Sequence, residues 1–235
     1  MIVHDDIVQG TPQWLALRRG IPTTSCFDKI ITPSGKPSAS AEQYLNLLLA
    51  ERIMRAPVEG YVSKYMAMGN QFEDLAVASY EFDRDYQTER VGFVTTDDRT
   101  IGCSPDRFIV NEPRGMLECK APSAPVHVSY LRASTGASKE YRVQLQGELW
   151  VCEKEWVDII SYHPDMRDAI FRVYRDEEFI RQMEALVRSF ARQLDDIAED
   201  FKSRGWITSE DPQSEDPQYL GLVTDLLLAE HNDSE

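Results

Sequence analysis

Residues 103–120 read Cys-Ser-Pro-Asp-Arg-Phe-Ile-Val-Asn-Glu-Pro-Arg-Gly-Met-Leu-Glu-Cys-Lys, and this stretch decides the fold. Two runs of β-forming residues flank a turn signal at Asn111–Gly115. This arrangement predicts a β-hairpin with strands over Gly102–Val110 and Met116–Lys120.

The hairpin would bring charged side chains together. Asp106 lies roughly opposite Glu118 if the turn centres near residue 112. Because side chains alternate along a strand, Glu118 and Lys120 share one face. Leu117 and Cys119 then face the opposite, apolar side. Two carboxylates and one ammonium group are therefore expected at one end of a β-ribbon.

This grouping suits hydrolysis of a phosphodiester. Carboxylate oxygens bind Mg²⁺ or Mn²⁺, which stabilise the attacking and leaving oxygens of an in-line displacement. Lys120 would orient or help deprotonate the water, or neutralise developing negative charge. The alternative is a turn-capping Asp106 beside an exposed Glu118–Lys120 ion pair, and the spacing alone does not decide between the two.

A predicted helix over Lys64–Asp83 adds a third carboxylate. Glu73 lies within an otherwise apolar helical pattern, where a carboxylate is costly unless it is paired or bound to a metal. The alternative is that Glu73 is exposed beside Asp74. The core side of this helix is predicted to consist of Phe72, Leu75, Ala76 and Ser79.

A second predicted helix, Glu140–Glu153, follows a predicted loop over Pro122–Ser138. Tyr141, Gln144 and Glu148 share one of its faces through their i, i+3 and i+7 spacing. Gln144 would position a water molecule or bind phosphate, or it would simply be solvated on a surface.

Composition sets broad limits. The 235 residues are 42% hydrophobic, with no run approaching the roughly 18 apolar residues of a membrane span. The first residues lack a signal peptide, so an intracellular protein without membrane association is expected. Neither the four scattered cysteines nor the four histidines have zinc-ligand spacing.

The net charge of −15 disfavours nucleic acid only at first sight. Residues 195–235 hold twelve acidic and two basic residues, which leaves −5 for residues 1–194. An amphipathic helix over Asp176–Lys202 closes a predicted domain of residues 1–203. Residues 204–235 are predicted to form an acidic linker and a helical tail.

Five sequence blocks, in this order, resemble those of the phage λ exonuclease (YqaJ-type viral recombinase) family of the PD-(D/E)XK nuclease superfamily. The resemblance extends from about Gln9 to Leu194. The blocks are Trp14-x-x-Leu17-Arg18-x-Gly20-Ile21-x-Thr23-x-Ser25, Gly69-x-Gln71-x-Glu73, Cys103-Ser104-Pro105-Asp106, Leu117-Glu118-Cys119-Lys120 and Tyr141-x-x-Gln144-x-Gln146.

The resemblance implies an α/β fold with a restriction-endonuclease-like core, in which helices flank a central mixed β-sheet. It also implies a Mg²⁺-dependent exonuclease, with Mn²⁺ as a substitute. Such an enzyme digests one strand of linear double-stranded DNA from the 5′ end and leaves a 3′ single strand for recombination by annealing.

Roles for individual residues also follow from the resemblance. The metal ligands would be Asp106, Glu118 and the backbone carbonyl of Cys119, and Glu73 would act at or near a second metal. Lys120 would be the catalytic lysine, and Gln144 would help to hold water or metal-bound groups. A pocket for the 5′-phosphate would consist of Arg18, Ser25, Thr23 and Ser104.

The same resemblance implies a homotrimer, a single-strand annealing protein as partner, and the cytoplasm of a bacterial or phage-infected cell. Two alternatives stay open. One is a site-specific or other endonuclease of the PD-(D/E)XK superfamily, which would also cut closed circles. The other is a non-catalytic DNA-binding recombination scaffold, which would bind DNA without releasing nucleotides.

Overall fold

The protein is described here by a computed structural model covering residues 1–58, 63–133 and 135–207, with only the helical backbone over 63–71. The helices are α1 (Pro12–Arg18), a 3₁₀-helix (Thr24–Lys29), α2 (Ala41–Met54), α3 (Ser63–Arg84), α4 (Ala124–Arg132), α5 (Gly136–Glu140), α6 (Arg142–Val151) and α7 (Glu177–Ser203). The strands are β1 (Ile2–His4), β2 (Thr88–Arg90), β3 (Phe93–Thr95), β4 (Gly102–Cys103), β5 (Arg107–Ile109), β6 (Gly115–Lys120), β7 (Trp156–Ser161) and β8 (Ala169–Tyr174).

The described strands form two sheets. A five-stranded sheet has the order β2-β5-β6-β7-β8, and a three-stranded sheet has the order β1-β3-β4. In the larger sheet β6 and β7 are parallel, while the other pairs are antiparallel. A parallel pair needs a long crossover, which here carries α4, α5 and α6. The predicted mixed α/β sheet flanked by helices is confirmed.

The predicted hairpin is only half right. β5 does pair with β6, but β4 pairs with β3 in the smaller sheet, so a continuous strand over Gly102–Val110 was wrong. The break falls at Ser104-Pro105-Asp106. Proline has no N–H to offer a strand ladder, so the chain leaves one sheet here and enters the other. Asp106 consequently lies at the junction of the two sheets.

Strand β6 separates two apolar clusters. Met116 belongs to the main core, which also contains Leu145 and Leu149 of α6. Leu117 is fully buried on the other side against α3, and Cys119 packs against the same cluster. The predicted alternation along this strand is therefore confirmed, and it leaves Glu118 and Lys120 facing α6.

The predicted loop over Pro122–Ser138 was wrong, because it contains α4 and α5. Pro125 lies in the first turn of α4, where a missing N–H costs nothing. His127 and Tyr130 are buried and attach this helix to the domain. The predicted helix over Glu140–Glu153 is shorter, since α6 begins only after Tyr141.

The two predicted long helices occur as α3 and α7. Ala76 of the predicted core side of α3 is buried, but Leu75 is 51% exposed, and Tyr80 lies inward instead. Asp176 caps α7 by accepting a hydrogen bond from the backbone N–H of Phe179. None of the described helices is long and apolar enough to cross a membrane. The predicted tail helix lies outside the described residues, and the Gln71 side chain is outside the described part as well.

Candidate active site

Asp106 is held against β6 by the backbone. Its Oδ2 accepts a hydrogen bond of 2.7 Å from the N–H of Cys119. The pairing of Arg107 with Leu117 places Asp106 beside Glu118, as the sequence predicted. Asp106 follows β4 of the small sheet, and this hydrogen bond fixes its carboxylate to β6, the central strand of the large sheet.

Glu118 and Lys120 form the centre of the site. The Glu118 side chain is buried, and its Oε1 accepts hydrogen bonds of 2.7 Å from Lys120 Nζ and from Gln144 Nε2. Lys120 Nζ also lies 3.4 Å from Gln144 Oε1 and 4.7 Å from the centre of the Tyr141 ring. The ammonium group is thereby confined between a carboxylate, an amide oxygen and an aromatic face.

Helix α6 contributes a further carboxylate that was not among the predicted site residues. Glu148 is 1% exposed, and its Oε1 accepts a 2.7 Å hydrogen bond from Gln144 Nε2. The signal was present in the sequence, because Glu148 follows Gln144 by one turn in a helix that is otherwise mostly apolar. A charged residue at that spacing also fits an exposed helix face, so the sequence does not show whether Glu148 is buried or exposed.

Two carboxylate oxygens in this site have no partner among the described residues. Glu118 Oε2 and Glu148 Oε2 are both buried and accept no hydrogen bond within the described structure. An unpaired buried carboxylate oxygen is costly, and most such atoms in proteins are satisfied by a donor, a water or an ion. Buried oxygen atoms of this kind suit a hard divalent cation such as Mg²⁺ or Mn²⁺.

The acidic side chains nevertheless do not form a closed cage. Among the described residues, no three Asp, Glu, His or Cys side chains converge as a ready metal-binding group. Protein donors occupy several of their oxygens, namely Lys120 and Gln144 at Glu118, and Cys119 at Asp106. All four cysteines are free thiols, and the Cys152 and Cys103 Sγ atoms lie 3.7 Å apart.

The electrostatics of the site reflect crowded negative charge in a buried place. Burial raises the pKa of Asp106 well above its usual range, and the charges of Glu118 and Glu73 raise it further. Burial lowers the pKa of Lys120, but the charges of Glu118 and Asp106 outweigh this effect and raise it overall. Lys120 therefore keeps its positive charge, which offsets the negative charge of the neighbouring carboxylates.

Glu73 is paired rather than free. It forms an ion pair with Arg107 Nη1, and the same nitrogen donates to the Asp106 carbonyl oxygen at 2.8 Å. Arg107 Nη2 also reaches Asp74 at 3.1 Å. Arg107 thus connects Glu73 to the Asp106 segment. No sequence pattern indicates this partner, which is 34 residues away along the chain.

The predicted phosphate-binding residues occur in two groups of contacts. The Arg18 guanidinium lies 4.1 Å from the centre of the Trp14 ring, and Trp14 Nε1 donates to Ser104 Oγ at 3.0 Å. Ser104 precedes Asp106 by two residues. Thr23 Oγ1 and Ser25 Oγ are 3.5 Å apart at the start of the 3₁₀-helix.

The 3₁₀-helix packs closely on α6. A Cβ atom added at Gly147 would come within 2.7 Å of the Phe27 ring, so only glycine permits this approach. The contact ties the Thr23–Ser25 segment to the helix that carries Gln144. It therefore fixes the two groups of predicted site residues relative to each other.

Sequence comparison now decides the family. The sequence model of the YqaJ-like viral recombinase domain matches residues 13–155, a range that contains every predicted site residue. The chain belongs to this family. Membership indicates a nuclease connected with recombination.

Solved structures agree on the fold of this YqaJ-like chain. An alkaline exonuclease from Laribacter hongkongensis is similar with a TM-score of 0.72 and 24% identity, over 83% of this chain and 98% of that one. Its complex with dAMP gives the same values. A phage-related exonuclease from Haemophilus somnus 129PT has a TM-score of 0.60 and 16% identity, over 77% and 96% of the two chains. No curated protein matches the sequence.

Proposed function

We propose that this protein is a Mg²⁺-dependent 5′-to-3′ exonuclease that digests one strand of linear double-stranded DNA. The product would be a 3′ single strand for homologous recombination by annealing. The observation that carries this proposal is the buried, unpartnered Oε2 of Glu118, which lies beside Asp106 and Lys120 in a chain of a nuclease family.

The residues present fit a divalent cation. Asp106, Glu118 and the backbone carbonyl of Cys119 would hold Mg²⁺, with Mn²⁺ as a substitute, and Glu73 would act at or near a second metal. When bound, the cation supplies charge stabilisation for the attacking and leaving oxygens of the phosphodiester. Because Glu73 is ion-paired with Arg107, it would have to break that ion pair before it could bind the cation.

Lys120 and Gln144 have the remaining roles, which are charge neutralisation and positioning. Lys120 keeps its charge in the site, so its contribution is to neutralise the negative charge that develops on the phosphoryl oxygens. The Gln144 amide presents N–H groups to Glu118 and its oxygen toward Lys120, and so holds both in place. Water that attacks the phosphorus would be oriented between these groups.

The 5′ polarity is assigned to the pocket around Arg18. A guanidinium binds phosphate with two parallel hydrogen bonds, and the hydroxyls of Thr23, Ser25 and Ser104 would add further donors. The Trp14 contact to Ser104 connects this pocket to the segment that carries Asp106. A terminal phosphate bound there would set the scissile bond at a fixed distance from the metal ligands.

The proposed partners rest on the family resemblance. They would be linear double-stranded DNA, further copies of the chain in a homotrimer, and a single-strand annealing protein that coats the 3′ strand. The site of action would be the cytoplasm of a bacterial or phage-infected cell, where such DNA is found.

The test uses linear duplex DNA labelled separately at its 5′ and 3′ ends, with a matched closed circle, in Mg²⁺, Mn²⁺ or EDTA. We expect loss of the 5′ label with an intact 3′ strand, an untouched circle and no reaction in EDTA. Cutting of the circle would assign an endonuclease to the same residues. Binding without release of nucleotides would assign a non-catalytic scaffold.

The Arg18 pocket is tested separately. We expect Arg18→Ala to reduce the preference for 5′-phosphorylated over 5′-hydroxyl ends about tenfold, the effect of losing one charge-assisted contact. Arg19→Ala is the matched control, because Arg19 Nη1 donates to the carbonyl of Arg55 at 2.9 Å and is directed at α2. Equal rates on both kinds of end in the parent protein would remove the pocket assignment.

A further inference from the structure

Glu148 is a buried carboxylate that the mechanism above does not use. It lies on α6 one turn after Gln144, and its Oε2 has no hydrogen-bond partner within the described structure. Leu145 and Leu149, its neighbours on the helix, are fully buried. A carboxylate in such surroundings destabilises a folded protein unless its partners compensate for the lost hydration. Burial of Glu148 therefore costs folding stability, and a functional role would explain why a carboxylate is present here.

The hydrogen bonds around Gln144 supply that explanation. An ammonium group only donates hydrogen bonds, so Lys120 faces the Gln144 oxygen, which lies 3.4 Å from its Nζ. The Gln144 NH₂ group then donates to Glu118 Oε1 and to Glu148 Oε1, both at 2.7 Å. The last torsion of a glutamine is otherwise loosely restrained. Glu148 provides the second acceptor, and with it the amide has one orientation.

We propose that Glu148 is a positioning residue that anchors the Gln144 amide, so that the amide holds Glu118 and Lys120 in the arrangement needed for cleavage. The inference rests on the proposed function. Glu148 acts through Gln144 and does not itself touch the DNA or the scissile phosphate. Its removal should therefore slow the reaction without weakening the binding of DNA.

The first comparison is between Glu148→Leu and Glu148→Gln. We expect the leucine variant to lose roughly 30-fold in turnover at saturating DNA, the scale of a small misplacement of reacting groups. The DNA concentration at half-maximal rate should change less than about twofold, because ground-state binding is untouched. In Glu148→Gln the new side-chain carbonyl still accepts a hydrogen bond from Gln144, so this variant should stay within about threefold of the parent.

Folding provides an independent readout. Glu148→Leu removes the cost of a buried carboxylate that has a free oxygen, but it leaves one Gln144 N–H without its acceptor, so the two effects on stability oppose each other. We therefore expect its thermal unfolding midpoint to stay within about 3 °C of the parent. A large loss of activity in a protein of that stability is not a folding defect.

Gln146 provides a control on the same helix. It is also buried, but it donates to the Tyr174 carbonyl and accepts from the Asp176 N–H, both at 2.8 Å, and so supports the fold. Gln146→Leu should lower the unfolding midpoint and leave the turnover of the folded protein within about twofold of the parent, because it removes hydrogen bonds outside the site.

A double-mutant cycle with Gln144→Leu decides how Glu148 acts. If Glu148 works through Gln144, adding Glu148→Leu to Gln144→Leu changes the turnover less than about twofold. A loss that multiplies in the double variant overturns the proposal, because Glu148 then acts independently. An equal loss in Glu148→Gln and Glu148→Leu also overturns it, because the negative charge and not the hydrogen bond is then required.

The two proposals fail in different ways. A parent protein that releases no nucleotides from linear DNA fails the proposed function before any variant is compared. An active parent with a Glu148→Leu variant of equal turnover retains the proposed function and removes only the role given to Glu148.

Discussion

Two buried acidic groups lie on opposite faces of the same sheet, and they are satisfied differently. Asp158 of β7 is the register partner of Leu117 and faces α3. Its Oδ2 accepts from Tyr80 Oη and from Arg172 Nη2, each at 2.7 Å, and its Oδ1 accepts from Arg172 Nε at 2.8 Å. Glu118, which follows Leu117 in β6, faces α6, and one of its carboxylate oxygens has no partner in the described part of the chain.

The difference separates structural from functional polar groups. Around Asp158, every carboxylate oxygen has a donor, and burial together with Asp158 raises the pKa of Tyr80, which therefore stays a donor. Around Glu118, the protein supplies fewer donors than the carboxylates could use. A fully paired group contributes to stability, whereas a partly paired one retains capacity for a ligand. This contrast yields four predictions.

The largest expected effect belongs to Lys120. Lys120→Ala should reduce the digestion of linear DNA about a thousandfold, since it removes charge stabilisation in the transition state, while DNA binding largely persists. The measurement is nucleotide release together with binding in EDTA. Lys154→Ala is the control, because Lys154 Nζ donates to the Pro113 carbonyl at 2.7 Å, outside the site. Normal turnover of Lys120→Ala would contradict the assigned site.

The next effect concerns stability instead of turnover. Asp158→Ala leaves the buried Tyr80 hydroxyl and the Arg172 guanidinium without their acceptor. We expect the free energy of unfolding to fall by about 3 kcal/mol, measured by chemical denaturation. The turnover of the folded fraction should match the parent. A loss of turnover without a loss of stability would show that the two faces of the sheet are not independent.

The smallest effect is expected at an exposed carboxylate that is also paired. Asp176 caps α7 and accepts from Arg142 Nη2 at 2.8 Å. Asp176→Ala should lower the free energy of unfolding by about 1 kcal/mol, and Asp176→Asn by less, since asparagine still caps a helix.

The same carboxylate predicts a pH dependence. The hydrogen bond from the Phe179 N–H, followed by that from Arg142, lowers the pKa of Asp176 below its usual value of 3.8. The stabilisation is therefore complete above pH 3.8 and is lost as the pH falls below it through the folded-state pKa. Denaturation of the parent and the alanine variant across this range measures it. A stability difference that grows toward acid pH would contradict the sign.

Local patterns predicted more of the site than of its surroundings. Strand alternation placed Glu118 and Lys120 on one face and Leu117 on the other because that rule depends only on neighbouring residues. The predicted first strand of the hairpin is split because β4 pairs with β3 in the smaller sheet. No local sequence pattern indicates that pairing.

Long-range partners were likewise beyond the sequence. Glu73 fitted a metal ligand or an exposed side chain equally well, and its ion pair with Arg107 exists only because α3 packs beside β5. The same applies to Glu148, whose burial results from the packing of α6 into the main core. The helix α4 was missed for a local reason, since its proline lies in the one turn that tolerates it.

The stacking of Arg18 on Trp14 also has a spectroscopic consequence. Trp14 is mostly buried, its indole N–H is bonded to Ser104, and the Arg18 guanidinium stacked on its ring is one influence on its emission. An anion that draws the guanidinium away from the ring changes the cation–π contact. For Trp14 to emit alone, Trp150, Trp156 and Trp206 would have to be replaced by phenylalanine. The chain would then carry a built-in fluorescent reporter of its own phosphate pocket.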